Sequence, residues 1–117
     1  MLELKKLLEM LRLSPELLVF SDVIATIDAH YHFTAARFHN NGLDNEKGTN
    51  LGSCKVFAFA KQHKLTKDET LACFAEHYFK DVLVHKDSQS HQNIRHFMNS
   101  EHGLDRVIFD SNVLMKK

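Results

Sequence analysis

The segment from Thr66 to Val82 constrains the fold most. "TKDE", Thr66 to Glu69, reads as a capping box, in which the Thr side chain and the Glu three residues on satisfy each other's backbone donors. Behind it Leu71, Phe74, Ala75, Tyr78 and Val82 recur at i, i+3, i+4, i+7 and i+11, the spacing that draws one apolar stripe down a helix. This is the longest helix the sequence predicts, and a helix so striped has to bury that face against other elements.

The partners are legible on either side. Leu4, Leu7, Leu8 and Leu11 stripe an amphipathic helix over residues 2–13, with charges between them. Ser14 then reads as an N-cap with Pro15 at the first helical position, opening a second helix with Phe20, Ile24, Ile27 and Tyr31 on one face. Ser53 reads as the N-cap of a helix from Cys54 to about His63, and Ser90 as the cap of another carrying Ile94, Phe97 and Met98, with Gly103 as its stop. Phe33, Thr34 and Phe38 favour a short strand before an Asn41-Gly42 turn, and "DRVIFD" is a second β-prone run. A lone strand is not stable, so strands near Ala36–His39 and Arg106–Phe109 should pair. The fold class expected is α+β: about five helices with a small β-sheet, in one domain over residues 1–117.

Chain length agrees, since 117 residues can bury roughly 65% of the unfolded surface, enough for one core. Fifteen basic residues balance fifteen acidic ones, with no long single-sign run. Nothing there supplies the field that nucleic acid or an anionic membrane would need, and neither partner is expected. Two cysteines, Cys54 and Cys73, are too few for a disulfide framework and lie inside helical patterns, which suits reduced thiols. Charges break every apolar run of "MLELKKLLEMLRL", so it lacks the core of a secretory signal, and no segment approaches the ~18 apolar residues of a membrane span. A cytoplasmic protein is the expectation.

"GSCKVFAFAKQHKLTKDETLACF" followed by "HQNIRHFM", together with "IDAHYHFT" and Asn41-Gly42 in the same order, resembles the HopJ family of type III effectors over about residues 20–110. The resemblance implies a small α+β domain and a role as an effector delivered into a host cell by type III export. It brings no catalytic residues and no cofactor. Export requires a mobile N-terminal signal, whereas residues 2–13 read as a Leu-striped helix, so work inside the producing cell is preferred.

Candidate site residues gather at two helix starts. Asn50, Ser53 and Lys55 sit where the "GSCK" helix begins, and a helix N-terminus attracts an anion or a substrate carboxylate. The competing reading is structural: Gly42, Gly48 and Gly52 for left-handed turns, Asn side chains bonding nearby backbone, and Ser53 satisfying an orphan N–H. "SHQNIR" repeats the pattern with His91, Asn93 and Arg95. The two starts make one polar pocket only if folding brings them together.

A catalytic alternative is a small enzyme using Cys54 with His91 as base; the preferred reading of Cys54 is a buried, inert thiol, because it shares its side of the helix with Phe57. Nine histidines raise the question of metal, yet His30 and His32, or His91 and His96, do not share a helical face, and Cys73 with His77 makes only two ligands. No metal site and no cofactor are expected. Most aromatics fall at helical packing positions and read as core. The partner expected is an unknown protein or a small anionic ligand, and the N-terminal leucine stripe offers a face for a homodimer.

Overall fold

The computed structural model describes residues 2–117; Met1 lies outside the described residues. The chain forms helices α1 (Leu4–Leu13), α2 (Phe20–His30), α3 (Leu51–Gln62), α4 (Lys67–Ala72) and α5 (Gln92–Asn99), with five three-residue strands: β1 (Tyr31–Phe33), β2 (Phe38–Asn40), β3 (Leu43–Asn45), β4 (Val107–Phe109) and β5 (Leu114–Lys116). The class is α+β, as expected.

Helix α3 is the hub because its sequence is apolar on every side. Cys54 and the run Val56 to Ala60 are all buried, and a helix with no polar face belongs in the middle. The Phe57 ring lies 5.1 Å from Phe97 on α5, 5.4 Å from Phe74 and 6.4 Å from Phe38 on β2, so one side chain joins three elements. Helix α1 lays the buried Leu7 and Leu11 against α2 and α4, as its leucine spacing predicts. The Thr26 hydroxyl ties that helix down by donating to the Leu2 carbonyl at 3.0 Å.

Strands β2 and β3 form a hairpin whose turn residues, Asn41 and Gly42, both have positive φ (48° and 95°), the geometry a two-residue hairpin requires. Strand β4 adds to the other edge of β2, pairing Phe38 with Phe109 and Asn40 with Val107. The predicted pairing is therefore present, shifted to Phe38–Asn40 and Val107–Phe109. A second sheet, β1 with β5, was not predicted; Tyr31, assigned to a helical face, is its first residue.

The largest correction falls on the long helix. Its capping box is intact: the Glu69 amide donates to Thr66 Oγ1 (3.1 Å) and the Thr66 amide to Glu69 Oε1 (2.8 Å). The α-helix nevertheless stops at Ala72, Ala75 takes positive φ (51°), and the chain resumes as one wide π turn, His77–Val82. Cys73, Phe74 and Ala75 at the break are all buried, and the left-handed backbone at Ala75 ends the α-helical path before the π turn.

Four caps are also corrected. Ser14 makes no side-chain cap; Pro15–Leu17 is a single 3-10 turn and α2 begins later, where the Glu76 carboxylate accepts the Phe20 amide at 2.7 Å. Ser53 is the third residue of α3, whose N-cap is Asn50, and Gly52 is helical, not left-handed. Ser90 is replaced as cap by His91. Gly103 does not stop α5, which ends at Asn99; it opens a separate 3-10 turn, Gly103–Arg106.

Candidate functional site: a cavity between two uncapped helix starts

The starts of α3 and α5 meet. Asn50, Gly52 and Ser53 on one side and His91 and Asn93 on the other line a single cavity of about 500 Å³, closed by Phe20, Phe74 and His77. The glycine at residue 52 allows α3 to come so close to α2, since a Cβ there would meet the Phe20 ring at 3.1 Å.

Both helices begin in the same unusual way. Asn50 and His91 take left-handed backbone conformations (φ 50° and 52°), and neither side chain caps its helix. The first helical bonds are Cys54 N–H to the Asn50 carbonyl and Arg95 N–H to the His91 carbonyl. The amides of residues 51–53 and 92–94 precede them and have no intrahelical acceptor. Two sets of first-turn donors, each at the positive end of a helix dipole, thus border one cavity.

Buried asparagines fix this arrangement. Asn93 and Asn45 exchange reciprocal amide bonds at 2.8 and 3.0 Å, and Asn40 Nδ2 donates to the Asn93 carbonyl at 2.9 Å and to its Oδ1 at 3.0 Å. Asn50 Nδ2 completes the net on Asn45 Oδ1 at 2.7 Å. The α5 start is thereby tied to β2, β3 and the α3 cap, with every amide used. Such a net holds the cavity walls and strongly specifies their geometry.

On the opposite wall the π turn supplies His77, and behind the lining its Asp81 Oδ2 lies 2.8 Å from His91 Nε2. A carboxylate can only accept, so Nε2 carries a proton and in the neutral ring Nδ1 is the bare nitrogen. The His77 ring lies between Phe20 and His91, with centroids at 4.7 and 4.8 Å. Asp44, the cavity's own carboxylate, is paired at the rim with His39 (2.9 Å) and Arg37 (3.3 Å). Its hydrogen bond from His39, aided by the charges of Arg37 and His39, holds its carboxyl below the usual value despite some desolvation.

Of the sequence candidates, Asn50, Ser53, His91 and Asn93 come together here; three others do not. Cys54 is 1% exposed and does not line the cavity; burial pushes its thiol up to about 11, against a weaker opposing pull from the Ala36 backbone. Lys55 points elsewhere, paired with Asp28 at 2.8 Å and over the Phe33 ring at 5.0 Å. Arg95 lies on the far side of α5. The sequence reading did not pick out Phe20, Asn45 or Asp81 for the site, and saw His77 only as a neighbour of Cys73. Their spacing carries no signal, because the break at Ala75 and the β-hairpin place them. Among the described residues no group of three or more metal-ligating side chains is arranged to hold an ion, and no helix is long and apolar enough to cross a membrane.

The sequence profile described as HopJ type III effector protein matches residues 4–114. The chain belongs to the HopJ family. The crystal structure of a protein of unknown function, VPA0580, shares the HopJ chain's architecture with a TM-score of 0.92 and 41% identity, covering 99% of this chain and 95% of that one. Among curated proteins none matches. The family match reaches further towards the N-terminus than the motifs quoted from the sequence, taking in α1.

Proposed function

We propose that this HopJ chain is a binding module, without catalysis by Cys54, whose α3/α5 cavity takes a small oxyanion. One observation carries the reading: two helix starts, both left without a side-chain cap, open onto the same cavity. Unsatisfied first-turn amides at a dipole's positive end suit an anion, and two converging sets suit it better than one. Ser53 adds a hydroxyl donor. His91 stands at the same cavity with its ring held through Nε2 by Asp81.

The test is a calorimetric titration with inorganic phosphate and with acetate. Saturable binding is expected, together with its loss in Ser53→Asp, where a fixed carboxylate occupies the α3 start. Ser53→Asp should keep or raise the melting temperature, because an acidic residue in the first turn favours the helix. Absence of saturable binding, or undiminished binding to Ser53→Asp, would contradict the reading.

The family description also carries export. Here α1 is folded onto the domain through Leu7 and Leu11, so threading this region through a secretion channel would first require unpacking it. This favours action in the cytoplasm of the producing cell. A reporter fused to residues 1–30 should stay inside a cell bearing a type III machine; its appearance in the host would restore the effector reading.

A further inference from the structure

The cavity does not end at α5. Gln89 and Gln92 line it and also line a broader groove, about 830 Å³, on the other side of that helix start. The two spaces are neighbours across two glutamine side chains.

Arg95 is set into the wall of the groove, and its environment is unusual for a cation. The residue is only 7% exposed, yet its guanidinium meets neutral oxygens alone: the Ser90 carbonyl at 2.6 Å, the Lys86 carbonyl at 3.1 Å and Ser90 Oγ at 3.4 Å. Among the described residues it forms no ion pair. Buried arginines are normally paired, because removing the charge from water is costly unless an opposite charge compensates. Three of the five N–H donors are used, which leaves the fork with spare donors for an oxyanion. His96 and Lys86 border the same groove; of its two acids, Glu101 lies 3.8 Å from His102 and is exposed, and Asp87 is on the exposed rim.

We propose that the ligand is an elongated dianion, a single chain with an oxyanion at each end. One end sits between the α3 and α5 starts, the chain crosses Gln89 and Gln92, and the other end compensates Arg95. This rests on the reading of the α3/α5 cavity given above and extends it by assigning the ligand's second charge. Carboxylate and phosphate ends share the chemistry, and the probes separate them.

The experiment compares acetate with α,ω-dicarboxylates from succinate to azelate, and phosphate with the corresponding bisphosphates. In one of the two series a particular chain length should bind at least about tenfold more tightly than its single-headed probe, and that series names the end group. In Arg95→Lys, which keeps the charge but loses the planar fork, the ratio of two-headed to one-headed affinity should fall several-fold; in Arg95→Gln it should fall to about one. Because Arg95 also holds the 86–90 segment, a folding-independent readout is needed: in the unmodified protein the Arg95 Nε–H resonance should shift with the two-headed ligand and not with acetate. If single-headed anions bind but no two-headed one binds more tightly, or if the Nε–H resonance does not respond, the proposal is wrong and the cavity reading stands. If nothing binds, both are wrong.

Discussion

Thr66 and Asn50 occupy the same place on two neighbouring helices and leave them in opposite states. At α4 the chain closes its own start, with Thr66 and Glu69 each covering the other's amide. At α3 the N-cap side chain turns away to Asn45, and at α5 that of His91 turns away to Asp81. A third start, α2, is closed from a distance by Glu76. Helix α1 also starts without a side-chain cap, at the exposed Glu3, so an open start is not in itself a mark of a site; α3 and α5 differ in that their open starts share a cavity. In the proposed reading, the difference separates a structural end from a binding end within one small domain.

The largest expected effect comes from breaking what holds the open starts in place. Asn93→Ala removes the centre of the buried amide net, with three side-chain hydrogen bonds to Asn40 and Asn45, so urea denaturation should show a loss of about 3 kcal/mol. A loss below about 1 kcal/mol would mean that the net does not hold the cavity.

Next is a direct contrast of serine and threonine. Thr66→Ala should cost about 1 kcal/mol, the usual effect of a lost cap, whereas Ser53→Ala should stay within about 0.5 kcal/mol because Ser53 caps nothing. Equal losses would erase the distinction between closed and open starts.

The parts of this contrast that were legible in the sequence are instructive. The α4 cap is four contiguous residues that contain the whole interaction, and its signature is local. The β2/β4 pairing was also legible, from two β-prone runs and an Asn-Gly turn. The open starts were not: Ser53 and Ser90 are the residue types that favour caps, but the true N-caps, Asn50 and His91, are held by Asn45 and Asp81 across irregular loops that no local signature marks. The break at Ala75 was hidden for a related reason. Alanine is the best helix former, so nothing local marks the left-handed residue at which the helix breaks. Half of the candidate site could thus be named from helix starts, and its facing wall could not.

A pH scan tests the α2 start. Burial pushes the Glu76 carboxyl up, but the hydrogen bond from the Phe20 amide, with its own amide and the His77 and Lys80 charges, outweighs this and leaves it below its ordinary value of 4.5. A depressed folded-state value gives stability that is complete above about pH 4.5 and is lost as pH falls through the folded value. Glu76→Gln should flatten this acid-side slope, while the α4 variant Thr66→Ala should leave it in place.

The smallest effect concerns Cys54, which lies beside the open α3 start without facing the cavity. With its thiol pushed up to about 11 by burial, it should react with iodoacetamide far more slowly than a free cysteine, and Cys54→Ala should retain the fold. Alkylation at neutral pH faster than a free thiol, and reduced by His91→Ala, would instead join Cys54 to the site.

The central claim is tested most directly by amide nitrogen–proton NMR during a phosphate titration. The amides of residues 51–53 and 92–94 should shift together along one saturation curve, while those of Lys67, Asp68 and Glu69 at the closed α4 start remain still. Equal shifts at all three helix starts, or none at α3 and α5, would contradict the account.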